Sequence, residues 1–129
     1  MTAAESAVRE GGVIIMLAQS GDGHGGEEFF RTFAEEKDLD VMLKKFLSTP
    51  KEQTRPDQWQ SQIFARVLKH ARVVYVSDAP REIVSALHMI PAGSLEEALK
   101  KAENILGDPN APIAAIPDGV GVIVDKYGF

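Results

Sequence analysis

A glycine-rich loop at residues 20–26 contains the side chains best suited to chemistry. Its sequence is Ser20-Gly21-Asp22-Gly23-His24-Gly25-Gly26, and the acidic pair Glu27-Glu28 follows it. A helix predicted to begin at Glu27 would turn free N–H groups and the positive end of its dipole toward the loop, as in anion sites. Asp22 and His24 could instead supply oxygen and nitrogen ligands to a metal. The pattern therefore indicates a ligand-facing loop, with a small anion or a metal as candidate ligand.

Each of these functions has a structural alternative. The loop lacks the Gly-Lys-Ser/Thr of a phosphate-binding Walker loop, and the two glutamates would repel a pyrophosphate. His24 has no close histidine or cysteine partner, so the residue types favour an exposed or hydrogen-bonded loop histidine over a metal ligand. Asp22 is suited to capping the turn through its carboxylate. The loop alone therefore leaves both a functional and a structural interpretation open.

Three further residues have side chains that could serve a site. Trp59, the single tryptophan, lies in the first turn of the longest predicted helix, where core packing is favoured and the wall of a ligand pocket is the alternative. His70 is predicted at the end of that helix, where a protonated imidazole interacts favourably with the helix dipole. His88 lies in the apolar run 87–91 and is predicted to be a hydrogen-bonded core residue.

The composition is that of one ordinary globular domain. The chain has 129 residues, of which 44% are hydrophobic and 26% charged, with a formal net charge of -5. The basic residues are scattered along the sequence and indicate no basic face. This argues against nucleic acid and against an anionic membrane surface as partners. The chain has no cysteine, and no apolar stretch approaches the ~20 residues that span a bilayer. Together with the absence of a signal-like N-terminus, these features predict a cytoplasmic location.

Apolar periodicity places the loop between a strand and a helix. Continuous apolar runs predict strands at 13–18 and 72–77, with further strands at 113–116 and 120–124. Helices are predicted at 3–10, 27–36, 38–47 and 56–70, in a short segment beginning at Asp78-Ala79-Pro80, and from Ser94 to Gly107. The pairs Thr2 with Glu5 and Ser94 with Glu97 have capping-box spacing.

The alternation of strands and helices predicts an α/β fold. We expect a single three-layer, Rossmann-like domain over residues 1–129, with a mostly parallel sheet flanked by helices. The strand at 120–124 could pair antiparallel at an edge if Pro117-Asp118-Gly119 forms a tight turn. Such sheets bind ligands at the carboxyl ends of their strands, which is where the glycine-rich loop would lie.

Several blocks of the chain resemble the C-terminal domain of the nickel-dependent lactate racemase family. They are Gly11 to Ala18, Asp22-Gly23-His24-Gly25-Gly26-Glu27, Asp57-Gln58-Trp59-Gln60, His88-Met89-Ile90-Pro91-Ala92 and Ile116-Pro117-Asp118-Gly119-Val120. The blocks follow the family's order and cover nearly the whole chain, and the second is the most specific. Gln19 departs from the acidic residue expected in many relatives.

The resemblance implies the C-terminal domain of a two-domain isomerase, a racemase or epimerase that inverts a 2-hydroxy acid such as lactate. In that family a nickel-pincer nucleotide is tethered to a lysine in the N-terminal domain, where paired histidines act as general acid and base and an arginine holds the carboxylate. The C-terminal domain closes the cleft. Its glutamine and lysine would fall immediately upstream of Met1. The resemblance thus predicts no catalytic residue, no metal ligand and no bound cofactor in this chain, which alone should be inactive without its N-terminal domain.

For the residues of this chain, the resemblance assigns Trp59 to the wall of the substrate pocket. It places Asp22, Gly23, His24, Gly25 and Gly26 in a loop facing the interdomain cleft. Two alternatives remain at this point. One is a stand-alone α/β module that binds a small anion or metal at the loop Ser20–Gly26, and the other is an interaction domain that associates with itself.

Overall fold

A three-stranded parallel sheet forms the centre of the domain. The computed structural model describes residues 1–21, 23–55 and 58–125. The strands are β1 (Val13–Leu17), β2 (Arg72–Val76) and β3 (Ile90–Ala92), and β2 lies between the other two. Both neighbouring pairs are parallel, with Val13 opposite Arg72 and Val74 opposite Ile90. The predicted parallel sheet is therefore confirmed.

Helices flank this sheet. They are α1 (Thr2–Ala7), α2 (Glu27–Glu35), α3 (Leu39–Ser48), α4 (Gln58–His70), α5 (Arg81–Ala86) and α6 (Leu95–Leu106), with a short 3₁₀ turn at Lys51–Gln53. The chain from β1 to β2 contains α2 to α4, and the chain from β2 to β3 contains α5. Parallel neighbours require such crossover connections, because a hairpin would reverse the strand direction.

Two apolar layers cover opposite faces of the sheet, because successive side chains of a strand point to opposite sides. On one face, Val73 packs in the main core with Phe64 and Phe33. The rings of Phe33 and Phe64 meet edge-on with centroids 4.9 Å apart, a favoured aromatic geometry. On the other face, Val74 packs with Ala98 of α6 in a smaller cluster. This arrangement confirms the three-layer α/β fold.

Local signals set several helix boundaries. Asp38 caps α3 by accepting hydrogen bonds from the Asp40 and Val41 amides, at 2.8 and 3.2 Å. Ser94 caps α6 through its hydroxyl, which accepts from the Glu97 amide at 3.1 Å. Gly107 ends α6 in the left-handed conformation, with φ of 64°. Capping and C-terminal glycine signals of this kind act within one helical turn, which explains why the sequence predicted the bounds of α6 well.

The N-terminal helix differs from its predicted form. It begins at Thr2 and already ends at Ala7, and no side-chain cap forms at its start. The Glu5 carboxylate, expected in a capping box, instead accepts two hydrogen bonds of 2.7 Å from the Arg66 guanidinium on α4. The pKa of the Glu5 carboxyl is lowered, and the main cause is the hydrogen bond from Arg66. A long-range ion pair thus takes the place of the predicted local cap.

Two predicted strands are wrong, and one strand was not predicted. Within the described residues, 113–116 and 120–124 form neither a helix nor a strand. The third strand is β3, a three-residue segment containing Pro91. Proline suits an edge position because it lacks the N–H that a second neighbour would need. The predicted helix start at Pro56-Asp57 lies outside the described residues.

Candidate functional site

A cavity of about 590 Å³ opens where β1 and β2 end, on the face of the sheet that α4 covers. Its apolar lining includes Met16, Phe29, Trp59, Ile63, Phe64, Val67, Tyr75, Ile83, Leu87 and Met89. Its polar lining is sparse and includes Thr2, Ser20, His24 and Gln60. A large apolar concavity with few polar groups is typical of ligand sites, and the strand ends are where such sheets bind ligands.

Trp59 lies in the first turn of α4 and forms part of the cavity wall. Its residue surface is 60% exposed, so the core packing favoured by the residue pattern is wrong. Phe64, further along the same helix, is only 6% exposed and packs in the core. Along the apolar face of α4, the cavity-lining side chains therefore change from exposed at Trp59 to buried at Phe64. An exposed tryptophan in an apolar cavity wall offers a large surface to a ligand or a partner domain.

The glycine-rich loop contributes Gly23 and His24 to the same cavity. The fold thus brings the loop and Trp59 together, although more than thirty residues separate them in the sequence. Gly25 and Gly26 have φ of 82° and 126°, which side-chain-bearing residues rarely adopt. Gly26 is also the residue before α2, so the glycines allow the loop to turn into that helix. Asp22, also predicted to face the cleft, lies outside the described residues.

His24 is held by its neighbours within the loop and α2. Its ring stacks on Phe30, with centroids 4.6 Å apart and planes 24° from parallel. Its Nε2 lies 3.7 Å from a carboxylate oxygen of Glu27. Its Nδ1 is buried and has no hydrogen-bond partner among the described residues. The stacking on Phe30 fixes the orientation of the imidazole ring, and His24 forms part of the cavity wall.

Hydrogen bonds join the glycine-rich loop to the end of β2 and to the residues that follow this strand. The Ser20 amide donates to the Asp78 carboxylate at 2.9 Å, and the Ser20 hydroxyl lies 2.9 Å from the Tyr75 hydroxyl. Neither Tyr75 nor Asp78 was assigned to the site from the sequence. Tyr75 lies within the predicted strand 72–77, Asp78 follows that strand, and Ser20 follows the predicted strand 13–18. Parallel neighbouring strands end at the same edge of a sheet. The strand predictions therefore contained the information that Ser20, Tyr75 and Asp78 lie close together.

Comparison with known proteins decides the family. The family model described as "Lactate racemase C-terminal domain" matches residues 1–124. The chain belongs to this family. The lactate racemase of Thermoanaerobacterium thermosaccharolyticum is 49% identical over 125 residues, which are 96% of this chain and 29% of that protein. The lactate racemase of Lactiplantibacillus plantarum is 46% identical over 125 residues, again 96% of this chain and 29% of the relative.

A solved structure agrees in fold over the same extent. The lactate racemase apoprotein from Thermoanaerobacterium thermosaccharolyticum superposes with a TM-score of 0.92 at 48% sequence identity. The match covers 97% of this chain and 30% of that chain. The chain therefore spans less than a third of the length of the relatives it matches.

The described residues contain no grouped set of side-chain metal ligands. Among residues 1–21, 23–55 and 58–125, no three His, Cys, Asp or Glu side chains are grouped closely enough to hold a metal. The whole chain lacks cysteine, the softest of the metal ligands. In the same described ranges, no helix is long and apolar enough to cross a membrane.

The other two histidines lie outside the described lining of this cavity. Each has a ring nitrogen within hydrogen-bond distance of a backbone carbonyl. His70 Nε2 lies 3.0 Å from the Val8 carbonyl and so links the end of α4 to the end of α1. His88 Nε2 lies 2.8 Å from the Phe33 carbonyl, and its backbone has a positive φ of 61°. The His88 contact agrees with the hydrogen-bonded structural role predicted for it, whereas the dipole interaction of a protonated His70 stays a prediction.

Proposed function

We propose that this domain closes the active-site cleft of a lactate racemase-type enzyme, an isomerase that racemises or epimerises a 2-hydroxy acid such as lactate. The family match over residues 1–124 and the two lactate racemase relatives support this proposal. The observation that carries it is the cavity in which exposed Trp59 meets the glycine-rich loop at the carboxyl ends of the strands. An apolar, open surface of this kind is suited to closing over a ligand held by another domain.

We assign the catalytic residues to an N-terminal domain, supplied by a longer form of the same protein or by another chain. That domain would bind the nickel-pincer nucleotide, which supplies the hydride chemistry of the family. The described part of this chain contains no grouped metal ligands, and His24 is the single histidine on the cavity lining. We therefore expect the chain alone to have no racemase activity.

The size of the cavity supports a shared site. Pockets of 300–1,000 Å³ hold drug-sized ligands, so about 590 Å³ is far more than a three-carbon acid needs. The partner domain and its cofactor would fill most of this volume when the cleft closes. In that arrangement Trp59 forms an apolar wall beside the methyl group of the substrate, and charged groups of the other domain hold the carboxylate. The loop 22–26 shapes the edge of the cleft.

The test is a full-length chimera. This chain replaces the aligned 125-residue region of the Thermoanaerobacterium thermosaccharolyticum lactate racemase, and lactate racemisation is measured. We expect the chimera to be active. Trp59→Ala should lower its kcat/KM by about tenfold or more, because the substrate loses an apolar wall worth 1–3 kcal/mol. Leu47→Ala is the matched control, since Leu47 is 86% exposed on α3 and does not line the cavity.

Two results would contradict this proposal. Racemisation by the 129-residue chain alone would show that the catalytic residues lie within it. Equal kcat/KM for Trp59→Ala and Leu47→Ala would remove Trp59 from the substrate pocket.

The stand-alone module that binds a small anion or metal at Ser20–Gly26 stays a prediction. The carboxylate of Glu27 near His24 opposes an anion there, and the described residues offer too few grouped ligands for a metal. Self-association as the sole function is likewise a prediction without a specific contact to support it.

A further inference from the structure

The segment that follows α6 exposes apolar side chains that the core of the domain does not use. Val120 and Ile123 are 99% and 97% exposed, and Ile113 is largely exposed as well. We propose that residues 113–123 form a docking segment that packs against the remainder of the racemase, separately from the cleft around Trp59. The proposal rests on the function proposed above, because it requires a further catalytic domain.

The backbone of the docking segment is also open to pairing. In the part of the chain that the structure describes, no backbone hydrogen bond joins residues 113–123 to another element. The segment nevertheless has local order. The Asp118 carboxylate accepts from the Val120 and Gly121 amides, each at 3.3 Å, in an Asx-type turn. Among the described residues this segment is locally ordered, forms no backbone hydrogen bond to another element and exposes apolar side chains, so it is suited to being covered by a partner surface.

The extent of the family match argues that this segment is an integral part of the domain. The match runs through residue 124 and therefore includes the whole docking segment. The same domain accounts for only 29–30% of the length of its relatives, so more than two thirds of such a racemase lies outside this chain. The apolar residues of the segment thus have a large potential partner within the complete protein.

Charge favours that partner over a second copy of this chain. Each copy has a formal net charge of -5, so association of two copies brings like charges together. The segment contributes little charge of its own, because Asp118 is the single charged residue between 113 and 123. The mainly apolar surface of the segment is suited to burial against a neighbouring domain of the same protein. The occupant we infer is therefore the catalytic part of the racemase.

Hydrogen exchange tests the docking segment directly. Backbone amide exchange of residues 113–123 is measured by mass spectrometry in the 129-residue chain and in the full-length chimera described above. We expect at least about tenfold slower exchange in the chimera, because docking protects amides that are open in the isolated chain. Val120→Asp in the chimera should restore fast exchange. Leu47→Asp, which introduces the same charge at another exposed apolar position, should leave the protection unchanged.

The outcomes separate this inference from the proposed function. A chimera that racemises lactate while residues 113–123 exchange as fast as in the isolated chain overturns the docking inference alone. A folded chimera with a protected segment and no racemisation overturns the proposed function and supports docking. Protection in the isolated chain, together with a dimer in sedimentation, would show that a second copy is the occupant and would overturn the inference.

Discussion

Trp59 and Phe64 lie five residues apart on α4, yet we expect their replacement by alanine to have different effects on stability. Both side chains line the cavity, but Phe64 is only 6% exposed and packs in the core, whereas Trp59 is 60% exposed. An aromatic side chain buries about 150–250 Å² when fully covered. At about 25 cal/mol per Å², the burial of Phe64 contributes up to about 5 kcal/mol and that of Trp59 at most about 2.5 kcal/mol.

The packing around each residue widens this difference. Phe64→Ala leaves a hole among packed neighbours, and losses of about 3–5 kcal/mol are typical for such a change. Trp59→Ala removes a largely exposed side chain, and the higher helix propensity of alanine offsets about 0.5 kcal/mol in either variant. We therefore expect Trp59→Ala to lower the free energy of unfolding by about 1–2 kcal/mol. That loss is at most about two thirds of the Phe64→Ala loss.

The assay is urea denaturation of the isolated chain, followed by far-UV circular dichroism. Tryptophan fluorescence is unsuitable because Trp59 is the single tryptophan of the chain. Domain stabilities are typically about 5–15 kcal/mol, so Phe64→Ala could leave little folded protein. Phe64→Leu then serves as the milder core variant, with an expected loss below about 1.5 kcal/mol. An equal loss for Trp59→Ala and Phe64→Ala would show that Trp59 is a core residue, and the pocket interpretation would fail.

The remaining predictions concern the start of α6. The Lys101 ammonium and the Gly93 amide hold the pKa of Glu97 at about 2, below its ordinary value of 4.5. This carboxylate therefore stabilises the fold above pH 4.5 and loses that effect as the pH falls toward 2. Thermal melting from pH 6 to about 2 should show a smaller fall in Tm for Glu97→Gln than for the unsubstituted chain, and parallel curves would contradict the assignment. Ser94→Ala removes the hydroxyl cap and should cost about 1 kcal/mol in urea denaturation, whereas Ser94→Asp, which keeps a capping oxygen, should cost less; equal losses would count against the cap.

The sequence was sufficient for the elements whose signals are local. The strands β1 and β2 were legible as continuous apolar runs between polar or glycine-rich segments. The bounds of α6 followed from Ser94 and Gly107, because a cap is decided within one turn of helix. Alternation of these strands and helices then predicted the three-layer fold. The resemblance of Asp22 to Glu27 and other blocks to the racemase family also needed no coordinates.

Pairing and exposure depended on the tertiary structure. The strand β3 has three residues and a proline, so its identity comes from its neighbour β2 and not from its own pattern. Residues 120–124 have a strand-like composition but find no pairing partner within the described chain. Glu5 had the spacing of a capping residue, yet Arg66 of α4 binds its carboxylate. Each of these outcomes depends on residues distant in sequence.

The site shows the same division. The loop 20–26 was recognisable from its glycines, and helical periodicity placed Trp59 on the apolar face of its helix. Periodicity states which face a residue shares, but it does not state what covers that face along its length. The fold covers Phe64 with the core and leaves Trp59 open beside Gly23 and His24. Contact free energies between distant segments decide this exposure. Residue periodicity therefore favoured a core position for Trp59, the family resemblance assigned it to a pocket wall, and the tertiary structure leaves it exposed on the cavity lining.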